Sequence, residues 1–489
     1  MGTEQQIRTL SYSVRPRVVF KYVGQFSFVL AVLSSVTLAV AIASGEYGLA
    51  LRYGVVILIL IGFGMLSLRL PHSSNIQGNE ALSITALVFV LAALLMTYPM
   101  MGSGLSFLDA LFEAVSAVTT TGLSTLPTVE GKPATFLFSR AWLQWSGGLG
   151  IVVFSVALLM GPGTAARRLA LTETDVEDMV SSTRTHARRV LAVYLFLTGL
   201  GVTALWLLGV SPFDSLLHTL AAVSTGGFSS FNDSLAGLGS YQASAATIAI
   251  CFLGAVPLAF YHRSLRKGVG EALVNFEVTW LLAICLLVTA MLFFFLVENG
   301  GFSLGEALRQ APLLGFSAQT TAGFSTLDVS SLDPASKMVL IISMAIGGNV
   351  GSTAGGMKIF RILVMLRLMQ LSVRRTFLPA HAVSEPYLGG NRLEWEELER
   401  ALTTILFFVL VIVISWLSFV AMGYDTLNSL FEVVSATGTV GLSTGVTSPA
   451  LPAFLKGILC VDMIMGRLEV VAILILLYPR TWLGRRHDT

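Results

Sequence analysis

Thr119-Thr120-Thr121-Gly122-Leu123-Ser124 returns three more times along this chain. The copies are Ser224-Thr225-Gly226-Gly227-Phe228-Ser229, Thr320-Thr321-Ala322-Gly323-Phe324-Ser325 and Gly438-Thr439-Val440-Gly441-Leu442-Ser443. The shared pattern is a thin residue, threonine, another thin residue, glycine, leucine or phenylalanine, then serine. The four glycines stand 105, 96 and 118 residues apart. Repetition at a long, near-constant period identifies an architecture before any single motif does.

Outward from each copy the match continues. Asp109, Asp214, Gln310 and Asn428 each stand 13 residues before their glycine, and an Asp or Asn there reads as a helix N-cap. Between cap and glycine lies a short apolar stretch, such as Phe112-Glu113-Ala114-Val115-Ser116-Ala117-Val118. It falls well below the about 20 residues a helix needs to cross a bilayer. It fits a helix that enters the membrane, ends at the Thr/Gly segment and returns as a loop.

A long apolar span flanks each unit on either side. The pairs are 81–100 with 135–160, 190–210 with 243–261, 276–297 with 336–364, and 398–421 with 453–478. Two further spans, 24–44 and 50–69, precede the repeats. The expected fold is an all-α membrane protein of ten crossings. It has four tandem helix–pore helix/filter loop–helix repeats around a pseudo-fourfold pore, plus an N-terminal two-helix hairpin. The expected bounds are 1–75 for the hairpin, then 76–165, 166–268, 269–375 and 376–489 for the repeats. Of the 489 residues, 54% are hydrophobic and 12% charged, half the about 25% charge of an ordinary soluble chain. This leaves little chain for a soluble domain.

If the N-terminus is inside, basic residues cluster on the inner side of the spans, at Arg8/Arg15/Arg17/Lys21, Arg167/Arg168, Arg184/Arg188/Arg189, Arg263/Arg266/Lys267, Arg374/Arg375 and Arg485/Arg486. The positive-inside rule then places both termini in the cytoplasm and all four Thr/Gly loops on the outer side. A net charge of +2 gives no reason to expect a nucleic-acid partner. Cys251, Cys285 and Cys460 all lie in spans, with neither metal nor disulfide spacing. Ala41-Ile42-Ala43 faintly resembles a signal-cleavage site, but its apolar run is longer than a signal core, so the first span reads as retained. The histidines form no two-ligand metal spacing, and His218 reads as packing within a short helix. No catalytic arrangement is expected.

A cation crossing a membrane must exchange hydration water for other oxygens, and rings of backbone carbonyls supply them. Carbonyls turn inward only with unusual dihedrals, which glycine permits. Thin side chains let four strands approach. The expected filter residues are therefore Thr120, Thr121 and Gly122; Thr225, Gly226 and Gly227; Thr321, Ala322 and Gly323; and Thr439, Val440 and Gly441, acting mainly through main-chain oxygen. The C-terminal ends of the short helices add partial negative charge. Glu113 and Glu432 either strengthen that field or are satisfied structural carboxylates.

Glycines crowd the last span of the third repeat, in Gly347-Gly348-Asn349-Val350-Gly351-Ser352-Thr353-Ala354-Gly355-Gly356-Met357-Lys358. Each costs a helix about 1 kcal/mol relative to alanine. A broken helix beneath the filter is the expected gate, formed by Gly347, Gly348, Asn349, Gly351, Ser352, Thr353, Gly355, Gly356 and Lys358; the plainer reading is a close-packing patch. Arg467 lies inside the final span, where an ionisable residue is costly and usually functional. It reads as an electrostatic barrier in the pore, or else as the partner of Glu469 or another carboxylate. Arg140, near the outer end of its span, is expected to snorkel toward water.

These segments together resemble the superfamily of Trk, Ktr and HKT potassium transporters over roughly residues 20–480. Thr119–Gly122, Ser224–Gly227, Thr320–Gly323 and Thr439–Gly441 resemble its four filters. Gln144-Trp145-Ser146-Gly147-Gly148-Leu149-Gly150 resembles the segment after the first. Gly347–Lys358 resembles its intramembrane loop, and Gly466-Arg467-Leu468-Glu469 its last-helix signature. The leading hairpin and the length favour the Trk branch of TrkH and TrkG. The resemblance implies potassium (K+) uptake across a bacterial-type inner membrane by a homodimer, each protomer with its own pore, and no bound catalytic cofactor. It also implies a cytosolic nucleotide-binding regulatory subunit of TrkA type, docked on basic loops 161–189 and 361–397. Glycine at Gly122 matches the potassium-selective members. Gly254-Ala255-Val256-Pro257-Leu258 departs from the family, with Pro257 expected to kink its helix. Two alternatives stay open: a poorly selective sodium/potassium channel, and a secondary transporter of a small solute, against which the parallel repeats argue.

Overall fold

The computed structural model describes residues 13–70, 76–159, 179–267, 276–377, 379 and 386–483. Two helices, Pro16–Ala43 and Tyr47–Ser67, form the leading hairpin. Pro16 begins the first, where its missing N–H is harmless, and Gly45 turns the chain at φ 71°. The helices approach closely because a Cβ on Gly24 would strike Ser67, and one on Gly64 the Phe28 ring.

The chain then runs four times through a long helix, a short helix, an extended segment and a second helix. The long helices are Gly78–Met101, Met179–Leu207, Phe276–Glu298 and Trp395–Ala421, and the short ones Phe107–Val118, Pro212–Val223, Leu304–Gln319 and Thr426–Thr437. Among the described residues, six helices are long and apolar enough to cross a membrane, the four long helices and the two of the hairpin. They carry exposed Phe20, Leu58, Phe196, Leu287 and Leu406 on their outer faces. Such apolar exteriors suit lipid, where every backbone polar group is satisfied within the helix. The short helices are the inverse. Phe112, Ala114, Ala117, Ala221, Ala222, Val433 and Ala436 are buried, so these helices form the centre of the molecule.

The second helices differ from one another. Ala134–Leu159 runs through Gly147, Gly148 and Gly150 without a break. In the second repeat, Tyr241–Ala255 stops, Val256 is extended, and Leu258–Lys267 resumes beyond Pro257; the residue before a proline avoids the helical region. In the third repeat, Pro334–Ile346 ends at Gly347, and helix returns only at Ile359–Arg375. In the fourth, Ala453–Arg467 ends before Glu469 and Val470, both at positive φ, and helix resumes over Val471–Leu477. Continuous crossings over 243–261 and 453–478 are thus corrected to two broken ones.

The chain ends meet. Val14 N–H donates to the Thr481 carbonyl at 2.8 Å, and Trp482 packs beside Val14, Val19 and Ile84. Arg15 reaches Glu80 through Nε at 2.8 Å and Nη2 at 3.0 Å, with Glu80 buried. Hairpin, first repeat and last helix therefore close on one another. Of the basic docking loops, 160–178, 378 and 380–385 lie outside the described residues.

Candidate functional site

Each short helix ends in the same way. Thr121 N–H donates to Ser116 O at 2.9 Å and Thr120 N–H to Ala117 O at 3.0 Å. The pairs Gly226–Ala221 with Thr225–Ala222, Ala322–Ser317 with Thr321–Ala318, and Val440–Ser435 with Thr439–Ala436 repeat this double bond. It is the Schellman closure, which requires a left-handed residue just past the helix. Threonine, not glycine, takes that place: Thr120, Thr225, Thr321 and Thr439 have φ between 49° and 54°. A β-branched residue there costs about 1–2 kcal/mol, and the burial of all four threonines holds the strain.

Gly122, Gly227, Gly323 and Gly441 follow two residues later, again with positive φ. A Cβ on Gly122 would strike the Gly226 carbonyl oxygen; one on Gly227, that of Ala322; on Gly323, that of Val440; on Gly441, that of Thr121. The contacts run from the first repeat to the second, third and fourth and back to the first, so the four segments make a closed ring. The glycines are partly exposed, while the threonines two residues before them are buried. Among the described residues, only one carbonyl of the four Thr-x-Gly triads accepts a hydrogen bond: Gly226 O, from Gln144 Nε2 at 2.5 Å. Buried carbonyls are ordinarily paired; these are left free for another partner.

A regular scaffold stands behind the ring. Asp109, Asp214 and Asn428 are not the N-caps. Ser106, Ser211 and Asp425 cap those helices, as Ser303 caps the third. The residue 13 before each glycine instead ties down the hydroxyl three residues after it. Thr125 Oγ1 donates to Asp109 at 3.0 Å, Ser230 Oγ to Asp214 at 2.6 Å, Thr326 Oγ1 to Gln310, and Thr444 Oγ1 to Asn428 O at 3.4 Å. Lysines link neighbouring repeats, Lys337 to Asn428 Oδ1 at 3.0 Å and Lys456 to Asp109 Oδ1 at 2.6 Å.

Nine residues before the glycines stand Glu113, His218, Leu314 and Glu432. The three polar ones are buried and grip the serine two residues past their glycine: Ser124 Oγ donates to Glu113, Ser443 Oγ to Glu432 at 2.6 Å, and Ser229 Oγ lies 3.0 Å from His218 Nε2. Glu113 and Glu432 are thus satisfied structural carboxylates. Arg140 does not snorkel. It is buried, with Nε 2.9 Å from Glu113 Oε2.

A second recurrent feature lay unread in the sequence. A Cβ on Gly147, Gly254 or Gly466 would strike the carbonyl of Val118, Val223 or Thr437, the last helical residue of its own repeat's short helix. The near-constant offset of these glycines from the ring glycines was the available signal.

Residues 347–358 lie against the base of the ring. Gly355 N–H donates to Thr321 Oγ1 at 2.6 Å, and Gly356 N–H to Gly438 O at 3.1 Å. Thr353 Oγ1 bridges Val223 O at 3.0 Å and Gly254 O at 2.9 Å. Gln319 Nε2 donates to Gly347 O at 2.6 Å. Within the segment, Ser352 Oγ donates to Asn349 O at 2.6 Å, Lys358 Nζ to Ala354 O, and a Cβ on Gly348 would strike Ala354. Gly351 O receives Leu258 N–H at 3.2 Å, so this loop also holds the break in the second repeat. Arg467 is buried and donates through Nη1 to Thr353 O at 2.8 Å; its Nε and Nη2 have no partner among the described residues. It does not pair with Glu469, which binds Arg361 Nη2 at 2.6 Å.

The chain's sequence and fold match known proteins over nearly its whole length. The TrkH family, described as cation transport protein, matches residues 48–265 and 272–481. An uncharacterized cation transporter of Methanocaldococcus jannaschii is 31% identical over 85% of each chain. The Trk system potassium uptake protein TrkI of Halomonas elongata is 31% identical over 95% of this chain and 96% of its own. The crystal structure of the potassium transporter TrkH from Vibrio parahaemolyticus superposes with a TM-score of 0.84 at 27% identity, covering 95% of this chain and 99% of that one.

Proposed function

The chain belongs to the TrkH family of cation transport proteins, a family of membrane transporters rather than enzymes, and from that premise we propose that it takes up potassium through the ring of Thr-x-Gly segments. The observation that carries this reading is the closed ring itself, whose carbonyls, apart from Gly226 O, have no donor among the described residues. A dehydrated monovalent cation is the partner such oxygens suit. Four short-helix C-termini around the ring add their negative ends.

On this reading the four repeats surround a pseudo-fourfold pore, with bounds near 76–165, 166–268, 269–375 and 376–489 after a hairpin in 1–75. The ring faces outward and both termini face the cytoplasm of a bacterial-type inner membrane. Thr120–Gly122, Thr225–Gly227, Thr321–Gly323 and Thr439–Gly441 form the filter. Residues 347–358 are the gate, hydrogen-bonded to the filter base, and Arg467 is an electrostatic barrier beside it. Arg467's Nε and Nη2 have no hydrogen-bond partner among the described residues, which leaves its charge available to act on a passing cation. A homodimer and a cytosolic nucleotide-binding subunit of TrkA type complete the assembly.

The test is ion uptake into liposomes holding the purified protein, comparing potassium, rubidium and sodium with and without an imposed pH gradient. Potassium and rubidium uptake exceeding sodium uptake supports the reading, and replacing Gly122, Gly227, Gly323 or Gly441 by serine should erode that preference. Unchanged preference in all four variants removes the filter assignment.

A further inference from the structure

We propose that Arg140 is a positioning residue for ion selectivity, clamping the first and second arms of the ring at a fixed separation. The proposal rests on the filter reading above. A ring that discriminates between cations by oxygen placement needs its arms held laterally, and the arms themselves are narrow backbone. Between the first and second arms a continuous chain of contacts, centred on the buried Arg140 and Glu113, supplies that hold.

On the first arm, Ser124 Oγ and Thr125 N–H donate to Glu113 Oε1, the amide at 3.2 Å. The other oxygen, Glu113 Oε2, receives Arg140 Nε at 2.9 Å. The Arg140 guanidinium carbon then lies 3.7 Å from the centroid of the Phe228 ring, and Nη1 stands 3.5 Å from Ser229 O. Phe228 and Ser229 are the first and second residues after ring glycine Gly227, and Ser124 and Thr125 the second and third after Gly122. One guanidinium thus touches the second arm directly and holds the first through Glu113, just beyond both ring glycines. Arg140 is 3% exposed and Glu113 0%, so neither contact is diluted by solvent.

Arginine is the residue such a joint requires. Its planar fork meets a carboxylate along one edge while its face lies on an aromatic ring, a combination lysine cannot reproduce. The other arms show why the clamp is not generic scaffolding. His218 and Glu432 hold their serines without a cation, and the third repeat has Leu314 at this position. The second and third arms are tied by backbone instead, with Leu235 N–H donating to Ser325 O at 3.0 Å.

The experiment measures the ratio of sodium to rubidium uptake in liposomes, with folding checked by gel filtration and thermal melting. Three variants carry it: Arg140→Lys, the neutral double variant Glu113→Gln with Arg140→Met, and Phe228→Leu. The double variant leaves no unpaired buried charge, and Phe228→Leu keeps the ion pair, so a folded protein remains available if lysine is not accommodated. The expected result is a rise in the sodium-to-rubidium ratio of about tenfold, the equivalent of one fixed interaction, in every folded variant. A wild-type ratio in any of the three variants that folds overturns the clamp. The serine variants of Gly122, Gly227, Gly323 and Gly441, run alongside, separate the two levels. If any of them changes the ratio while the Arg140 variants do not, only the clamp fails; if all four also leave the ratio unchanged, the filter reading fails with it.

Discussion

Gly323 and Val440 meet across the boundary between the third and fourth repeats, where a Cβ on Gly323 would overlap the Val440 carbonyl oxygen. The same relationship links every neighbouring pair around the ring. Gly323 also holds φ at 74°, which side chains adopt at a cost of about 1–2 kcal/mol. Gly323→Ala therefore meets two penalties at once, and backbone on the far side cannot swing away as a side chain would. The expected outcome is a loss of stability of at least about 1–2 kcal/mol, seen as a lower melting temperature, together with weakened preference for rubidium over sodium in liposome uptake. A variant with wild-type melting and wild-type preference would contradict the ring.

Gly355→Ala acts one layer below. Its Cβ would strike Gly438 O and Thr439 Oγ1, so the loop must leave the base of the ring and give up the Gly355 N–H bond to Thr321 Oγ1. If residues 347–358 gate the pore, uptake by the purified protein without any partner should rise several-fold. Uptake that is unchanged or lower in folded protein would mean that the segment packs helices rather than closing a path.

The ring glycines were legible because four copies in one register leave few other readings, and the offset of Asp109, Asp214, Gln310 and Asn428 was legible with them. Their role was not. The N-cap lies three residues earlier in three repeats, and the distant bond to a hydroxyl beyond the glycine appears only once the chain has folded back. The αL threonines were hidden for a different reason: local preference assigns that conformation to glycine, and burial overrides it at Thr120, Thr225, Thr321 and Thr439. The break at Leu468-Glu469-Val470 has no proline or glycine within it to announce it, unlike those at Pro257 and Gly347. Arg140 read as a surface-seeking side chain because Glu113, its partner, belongs to a separate helix.

Arg467→Ala tests the barrier. Among the described residues the guanidinium makes one hydrogen bond, to Thr353 O at 2.8 Å, with Nε and Nη2 unpartnered, so its removal forfeits little hydrogen bonding while deleting a buried positive charge. Cation uptake should increase, and Arg467→Lys, which keeps the charge, should stay near wild type. Loss of uptake in folded Arg467→Ala would show that the residue supports structure instead.

Asp333 caps the helix that leads into the loop. Its Oδ2 accepts from Ala335 N–H at 2.9 Å and Ser336 N–H at 3.1 Å. Burial alone would raise this carboxyl, but the hydrogen bonds from Ser336, Asn299 and Ala335 outweigh it and hold the group below its ordinary value. A depressed folded value means the unfolded chain takes up the proton first as pH falls. The stabilisation is therefore complete above the ordinary carboxylate value of about 4 and fades as pH drops through the lower folded value. Asp333→Ala should lose about 1 kcal/mol, the usual worth of such a cap, at neutral pH. In thermal melts of solubilised protein the wild type and variant curves should stay parallel from neutral pH down to about pH 5 and converge only below about pH 4. Curves that converge near neutrality, or never separate, would show that the carboxylate does not hold this helix end.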